Sequence, residues 1–229
     1  MKKHNNVYYS IGRKIPPEYE NPIDNILLDL CEEAISICKR FKITPNAITL
    51  FRILIGILTI YNFNFSCNYF YPITGTAIFY WFDCLDGHLA RSTNQVTVLG
   101  DYLDHYADIC FFISLLASMF IKKYTNKLII CIIIICISYL SFIHLGLQQK
   151  NYKHIKEEIR QENLITKDHE KVIILDEIDD ELLDNLNNLH SLEAYNIKWS
   201  KYFGTGTMYT ILIGIIYYIQ TNNNCINIV

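Results

Sequence analysis

The chain has 229 residues, enough for one domain or a little more, and 51% of them are hydrophobic. The apolar residues gather in runs about as long as a bilayer is thick, which is typical of a protein with several membrane spans and argues against a soluble helical protein. The net charge of −3 includes no basic surplus of the kind that nucleic-acid binding requires.

The eight cysteines form no CxxC pair, and most lie in apolar runs, where cysteine acts as a small hydrophobic residue. We therefore expect neither a disulfide framework nor a zinc site. The first residues are polar and are followed by no apolar stretch of the kind found in a signal peptide, so we expect no cleavable leader.

Residues 22–41 predict an amphipathic helix after a polar lead-in. Apolar residues recur at helical spacing from Ile23 to Phe41, and acidic residues lie opposite them. Pro22 suits the first turn of a helix, and basic residues fill the last turn. The segment is too polar to span a bilayer, so we interpret it as a helix on the membrane surface; a helix packed on protein is an equal alternative.

Five segments after this helix are apolar enough to span a membrane. The first opens with Thr44, which can cap a helix that has Pro45 at its first position. Arg52 lies about two turns inside it, from where its side chain can extend back to the interface as an anchor. The predicted spans are residues 44–65, 72–86, 100–122, 128–149 and 203–219.

The block 150–200 cannot span a membrane. Residues 151–200 carry 12 acidic and 6 basic side chains, and we interpret the block as a solvated loop with some helix. It lacks the spacing of a calcium loop, so we expect no metal there. The predicted domains are a lead-in and interfacial helix (1–42), four membrane helices that carry the chemistry (43–149), this acidic loop (150–200), and a last span with its tail (201–229).

Basic residues flank the first span on its N-terminal side, whereas the next loop, 62–71, carries no charge. The positive-inside tendency then puts the N-terminus and the loop between spans two and three in the cytoplasm. Three lysines would lie on the opposite side and disagree with this orientation: Lys122, Lys123 and Lys127. The kind of membrane is left open.

Four aspartates lie within or beside predicted spans, where a carboxylate is costly and marks function. Asp83 and Asp86 share one face of a helix, and Asp104 and Asp108 share a face of the next. Carboxylates brought together either keep protons or bind cations. Two divalent ions would balance four aspartates, and oxygen ligands suit Mg²⁺ or Mn²⁺. Such a pair of ions favours phosphoryl chemistry.

Gly87 and Arg91 refine this hypothesis. A glycine lets a ligand approach the backbone closely, and an arginine one turn further on can bind a phosphate through two hydrogen bonds. Acids, glycine and arginine together suggest a substrate with a diphosphate. Aspartates alone would suit a transporter of divalent cations or protons, which is the alternative from another class.

The pattern Asp83-x2-Asp86-Gly87-x2-Ala90-Arg91-x8-Gly100-x3-Asp104-x3-Asp108 resembles the signature of the CDP-alcohol phosphotransferases, or class I CDP-alcohol phosphatidyltransferases. Pro45-Asn46-x2-Thr49 and the interfacial helix extend the resemblance, which covers residues 22–149 well and the C-terminal third poorly. It implies an all-α, polytopic membrane bundle. The family usually has six spans, and we expect about five, with a sixth left open.

The resemblance implies that an acceptor hydroxyl attacks the β-phosphorus of a CDP-linked alcohol and that CMP leaves. It also implies two Mg²⁺ or Mn²⁺ ions held by Asp83, Asp86, Asp104 and Asp108, with Asp108 as the base that takes the acceptor proton. The implied contacts to CDP are Asn46, Thr49, Gly87, Arg91 and Thr97. Intramembrane prenyltransferases, which also use aspartates with magnesium, would not explain the glycine and the arginine.

The partners follow from two branches of the family. Asp86-Gly87-His88 with Asn94, Gln95 and Thr97 resembles phosphatidylinositol synthases, which join CDP-diacylglycerol to a small polar alcohol. Leu103-Asp104-His105 resembles choline and ethanolamine phosphotransferases, which join a CDP-amino alcohol to diacylglycerol. We favour the first branch slightly, with membrane lipids as further partners and a homodimer left open. Asp101 is expected to face solvent, and His88 and His105 to pack or to form hydrogen bonds.

Overall fold

The computed structural model describes residues 2–4, 7–9, 12–167 and 196–222. Two three-residue strands, β1 (Lys2–His4) and β2 (Val7–Tyr9), pair antiparallel at the N-terminus. All the other elements in the described residues are helices, which confirms the all-α class. The helices are α1 (Pro22–Arg40), α2 (Pro45–Phe65), α3 (Phe70–Ser92), α4 (Val98–Ile121), α5 (Lys127–Lys167) and α6 (Thr205–Asn222), with a short 3₁₀ turn (Lys201–Phe203) before α6.

Within the described residues, 4 helical stretches are long and apolar enough to cross a membrane: α2, α4, Lys127–Lys153 of α5 and Asn196–Asn222. The second of the five predicted spans, which corresponds to α3, is not among them. Its C-terminal half carries two acids and an arginine. A polytopic helical bundle is thus confirmed, with four spans instead of five by composition.

Although α3 is too polar to qualify by composition, it still runs through the bundle. Arg52, near the start of α2, forms ion pairs with Asp83, near the end of α3, and with Asp104, near the start of α4. The end of α3 therefore lies beside the starts of α2 and α4, so α3 runs antiparallel to both helices.

Three helices begin with a side-chain cap. Asn21 accepts a hydrogen bond from the backbone N–H of Ile23 (3.0 Å), and Thr44 accepts one from Ala47 (3.3 Å). Thr97 caps α4 in the same way. Such caps satisfy backbone donors that the first turn of a helix leaves unpaired. The cap predicted at Thr44 is confirmed.

The end of α3 differs from the prediction. The helix was expected to end at Asp86, where polar residues begin, and it continues to Ser92. His88 and Leu89 in this added part are buried, because other parts of the protein surround them instead of lipid or water. Gly87 and Arg91 therefore lie on the helix.

The amphipathic helix α1 divides its apolar surface between two environments. Cys31, Ile35 and Cys38 are buried in a cluster with residues of α2 and α3, as expected for a helix packed on protein. Other apolar side chains of α1 and of Phe41, the residue that follows it, are largely exposed, as expected for a helix in contact with lipid: Ile26 (63%), Leu30 (47%), Ile37 (58%) and Phe41 (68%). Each of the two alternatives therefore describes one face of α1.

Aromatic side chains form the centre of the bundle. The rings of Phe79 and Phe111 stack with centroids 4.0 Å apart, which joins α3 to α4. The rings of Tyr80 and Tyr209 stack at 4.1 Å and join α3 to α6. Stacked pairs of this kind add to the free energy gained by burial. They hold α3, which carries the first acidic pair, in the middle of the bundle.

Part of the predicted acidic loop, 150–200, is helical in the structure. Helix α5 continues past residue 149 to Lys167, and residues 168–195 of the predicted loop lie outside the described residues.

Cys67, in the loop between α2 and α3, is disulfide-bonded, which the sequence did not predict. The free thiols are Cys31, Cys38, Cys84, Cys110, Cys131 and Cys136.

Candidate active site

Three of the four predicted metal ligands meet where α3 ends and α4 begins. Asp83, Asp104 and Asp108 each offer a carboxylate oxygen, and these oxygens all lie within 4.8 Å of one another. The side chains are 22%, 33% and 41% exposed, so the group is reached from outside the bundle. Three acids at such short separation either keep a proton or are compensated by a cation.

Arg52 of α2 supplies a cation from within the protein. Its side chain is fully buried, and Nη2 lies 2.9 Å from Oδ1 of Asp104 and 3.4 Å from Oδ1 of Asp108, while Nη1 pairs with Asp83. The guanidinium also lies over the ring of Phe79, 4.9 Å from its centroid. Arg52 is therefore part of the acidic site and not an anchor at the interface.

The chemistry of this donor set fits a divalent cation. Oδ1 of Asp104 and Oδ1 of Asp108 are buried and make no hydrogen bond with the described residues, although both lie near the charge of Arg52. Carboxylate oxygens without hydrogen bonds are suitable ligands for Mg²⁺ or Mn²⁺. The residues that could hold one such ion are Asp83, Asp104 and Asp108.

Asp86, the fourth predicted ligand, is not among the carboxylates whose oxygens lie within 4.8 Å of one another. Its side chain is 4% exposed, and Oδ2 accepts a hydrogen bond of 2.7 Å from the hydroxyl of Thr49. Thr49, which was predicted as a contact to CDP, donates its hydroxyl to this carboxylate. A second ion at Asp86 and a contact from Thr49 to CDP stay predictions.

Gly87 and Arg91 lie next to each other near the end of α3, about one and two turns after Asp83. A Cβ atom at Gly87 would lie 3.0 Å from Nη1 of Arg91, so the glycine leaves room for the guanidinium. Nε of Arg91 donates a hydrogen bond of 2.5 Å to the backbone oxygen of Gly12. The arginine is thus fixed at Nε, and its outer nitrogens remain available for an anion.

The other two predicted contacts to CDP meet at the start of α4. The hydroxyl of Thr97 accepts a hydrogen bond from the backbone N–H of Gly100 at 3.0 Å. A Cβ atom at Gly100 would lie 2.9 Å from Oδ1 of Asn46, at the start of α2. All the predicted site residues therefore lie at one end of α2, α3 and α4.

The remaining polar residues near the site agree with their expected minor roles. Asp101 is exposed, and its backbone oxygen lies 2.7 Å from Nδ1 of His105. His88 is fully buried and packs against Gly12.

The sequence analysis did not assign Lys14 or Arg52 to this site. Burial and the charge of Arg91 lower the pKa of Lys14, while the charges of Asp83, Asp104 and Glu20 raise it. The spacing from Thr49 to Arg52 puts both on one face of α2 and could have identified the arginine. For Lys14 no local pattern exists, because only the fold brings it close.

An apolar cavity of about 320 Å³ lies between α2 and α4, next to the acids. Leu103 and Ala107, which precede Asp104 and Asp108 in sequence, line it together with Ile57 and Cys110. Two of these side chains, Ile57 and Cys110, are themselves exposed on the outside of the bundle. An apolar chain in the membrane could therefore enter beside the carboxylates.

Comparison with known proteins gives a family for the chain. The family model described as CDP-alcohol phosphatidyltransferase matches residues 42–162, from the turn before α2 into the second half of α5. No curated protein and no solved structure gives a match. The matched residues include the three acids and Arg52, Asp86 and Arg91, and exclude α1 and the segment before it.

Proposed function

Because this chain belongs to the CDP-alcohol phosphatidyltransferase family, we propose that it moves a phosphatidyl or phospho-alcohol group from a CDP-alcohol to an acceptor hydroxyl and releases CMP. The observation that carries the proposal is the convergence of Asp83, Asp104 and Asp108 beside Gly87 and Arg91. The acids can hold a cation, and the arginine can bind a phosphate. A site for transport alone would have no use for the arginine.

The reaction is a single displacement at phosphorus. The acceptor oxygen forms a bond to the β-phosphorus, the bond from that phosphorus to the bridging oxygen breaks, and CMP leaves with the bridging oxygen. Asp108 accepts the proton of the acceptor hydroxyl, a role that suits the most exposed of the three acids. Arg91 holds the diphosphate, with contacts to the rest of CDP from Asn46, Thr49, Gly87 and Thr97.

Divalent ions would be held by Asp83, Asp104 and Asp108, and Asp86 would join them if it exchanged its hydrogen bond with Thr49 for a metal. When bound, Mg²⁺ or Mn²⁺ would stabilise the negative charge on the phosphoryl oxygens. Arg52 would then share the compensation of the acids with these ions. The chain itself contributes the geometry: α3 and α4 bring the carboxylates together from two sides.

For the substrates we favour CDP-diacylglycerol with a small polar, inositol-like acceptor. The apolar cavity beside Asp104 and Asp108 supports a lipid substrate, because its size and lining suit part of an acyl chain. The alternative within the family is a CDP-amino alcohol with diacylglycerol as acceptor, and the same cavity would then hold the acceptor. The residues from Asp86 to Thr97 favour the first.

We further propose that the site faces the cytoplasm of the cell. Cys67 lies in the loop at the other end of α2 and α3 and is disulfide-bonded. Disulfides persist on the oxidising side of a membrane, so this loop belongs on that side and the acids on the opposite one. The basic residues before α2 support the same orientation.

The purified protein with Mg²⁺ or Mn²⁺ should release CMP from one combination of substrates. A panel that crosses CDP-diacylglycerol, CDP-choline and CDP-ethanolamine with inositol, serine, glycerol phosphate and diacylglycerol identifies the branch. The matched control is Asp83→Asn, which should abolish the release. If no combination releases CMP while the metal binds, cation flux into liposomes becomes the measurement, since transport is the remaining explanation for intramembrane aspartates.

A further inference from the structure

The segment 12–21, between β2 and α1, reaches the site from outside the residues that the family model matches. The backbone oxygen of Gly12 accepts the hydrogen bond from Arg91, 79 positions further along the chain. The ring of His88 lies so close that a Cβ atom at Gly12 would be 2.3 Å from it, so a larger residue does not fit. The segment therefore lies directly on the last turns of α3.

The residues on both sides of Lys14 hold this segment in place. Arg13 is 3% exposed and donates hydrogen bonds to Oδ1 of Asn25 (2.7 Å) and to Oδ1 of Asp29 (2.5 Å), both on α1. Ile15 on the other side is fully buried. The backbone of Lys14 is thus held in place before any ligand binds, which lowers the entropy cost of a contact made by its side chain.

Lys14 is a cation without an acidic partner of its own. Its charged neighbours are Arg91, Asp83, Asp104 and Glu20, yet it forms no ion pair within 4.0 Å with any residue in the described part of the chain. Glu20 is buried, and its Oε1 already accepts a hydrogen bond from Gln148.

Two neighbouring cations in a poorly solvated place need an anion. Asp83 and Asp104 supply part of that charge, but they can do so only while they are not engaged by a divalent ion. Arg91 is fixed through Nε, which leaves its outer nitrogens for another acceptor. A phosphate group would meet this need, because it carries the missing charge and accepts hydrogen bonds from both an ammonium and a guanidinium.

We infer that Lys14 is a further substrate-binding residue, which binds a phosphate group of the substrate together with Arg91. The inference rests on the proposed transferase function. It adds to that function a contact from the N-terminal segment. Two sources offer the same chemistry: the diphosphate of the CDP-linked donor and a phosphate on the acceptor, as in glycerol phosphate.

The test compares Lys14→Met and Lys14→Arg with the wild type, and Lys39→Met is the matched control, since Lys39 is exposed near the end of α1. We measure equilibrium binding of CDP and of CMP with Mg²⁺ present, and the KM for donor and acceptor. Loss of a charge-assisted contact should weaken binding by about tenfold or more. Lys14→Arg keeps the charge and should stay within about threefold of the wild type.

These measurements distinguish the two sources of the phosphate group, the donor and the acceptor. A donor contact weakens CDP binding and raises the donor KM, with a smaller effect on CMP. A contact to the acceptor leaves CDP binding unchanged and raises only the KM of a phosphorylated acceptor. Either result supports the inference.

The inference is overturned if folded Lys14→Met keeps CDP affinity and both KM values within about twofold of the wild type, or if Lys39→Met loses as much. Thermal unfolding reports folding, and Lys14→Gln replaces the methionine variant if that variant does not fold. If neither variant folds, Lys14 has a structural role and the inference also fails. A wild type that neither binds CDP nor releases CMP refutes the proposed function itself, whatever the variants do.

Discussion

Nη2 of Arg52 lies 2.9 Å from Oδ1 of Asp104, and the whole side chain of Arg52 is buried. The same arginine pairs with Asp83 and lies near Asp108, so one cation compensates three carboxylates from two helices. Removing one partner of a buried ion pair leaves the other charges uncompensated. The stability of the metal-free protein should therefore depend on Arg52.

We expect Arg52→Met to destabilise the metal-free protein by about 3–5 kcal/mol, because its three acidic partners then repel one another. Mg²⁺ or Mn²⁺ should recover part of this loss and should stabilise the variant more than the wild type. Thermal unfolding in detergent, with a chelator and with the metal, measures both effects. Arg40→Met is the control, since Arg40 is exposed on α1. Equal stability of Arg52→Met and wild type under both conditions would mean that protons neutralise the acids.

Asp108→Asn tests the base. We expect the rate of CMP release to fall by about 10²–10⁴, while CDP still binds, because the amide cannot accept the acceptor proton but leaves Arg91 in place. Single-turnover CMP release and equilibrium CDP binding are the two measurements. Asp101→Asn, an exposed acid on the same helix, should keep the wild-type rate. A wild-type rate in Asp108→Asn would assign the base elsewhere.

Asp24 of α1 predicts a dependence of stability on pH. Its side chain is 6% exposed and accepts a hydrogen bond of 2.5 Å from the hydroxyl of Tyr80. Burial raises the pKa of Asp24 to about 7, and the charge of Glu20 acts in the same direction. Because the unfolded pKa is about 3.9, the folded state binds this proton more tightly. The contribution of this proton to the free energy of unfolding is complete at low pH, below the unfolded pKa. It is lost as the pH rises through the folded pKa of about 7.

Asp24→Asn should remove this part of the pH dependence, since an amide oxygen accepts the same hydrogen bond without ionising. We expect the variant to gain on the wild type in unfolding temperature as the pH rises from about 5 to about 8. Differential scanning calorimetry of both proteins over this range measures the difference. If the unfolding temperatures of the variant and the wild type changed with pH in parallel, Asp24 would have an ordinary pKa in the folded protein.

The apolar cavity between α2 and α4 can be filled from Cys110, an exposed residue of its lining. We expect Cys110→Phe to reduce turnover of a long-chain lipid substrate by about tenfold and that of a short-chain analogue much less, because the ring occupies the space of the acyl chain. Cys136→Phe on α5 is the control, since Cys136 is also an exposed thiol. Equal losses with both chain lengths would place the acyl chain elsewhere.

Local patterns predicted the parts of the fold that depend on neighbours in sequence. The capping of α2 by Thr44 and the amphipathic face of α1 follow from a few adjacent residues, and the structure contains both. The end of α3 was placed six residues early because Asp86 and Arg91 look too polar for a buried helix. Contacts from α1 and from the segment before it, which are distant in sequence, make that burial possible.

Sequence patterns likewise predicted only part of the candidate site. The spacing of the aspartates predicted that Asp83, Asp104 and Asp108 would meet, and they do. The hydrogen bond from Thr49 to Asp86 joins residues 37 positions apart, so no local pattern could have shown that Asp86 is bound in this way. The spacing of Arg52 from Thr49 puts both residues on one face of α2, but its three acidic partners lie on other helices and no local pattern shows them.

The position of Arg52 also bears on the order in which the protein enters the membrane. During synthesis α2 emerges before α3 and α4, so the buried cation is already in the bilayer when the first acidic helix arrives. Each later aspartate then meets a waiting counter-charge, which reduces the cost of inserting a carboxylate into lipid. If a helix inserted after α4 carried the arginine, the aspartates would enter the bilayer before their counter-charge.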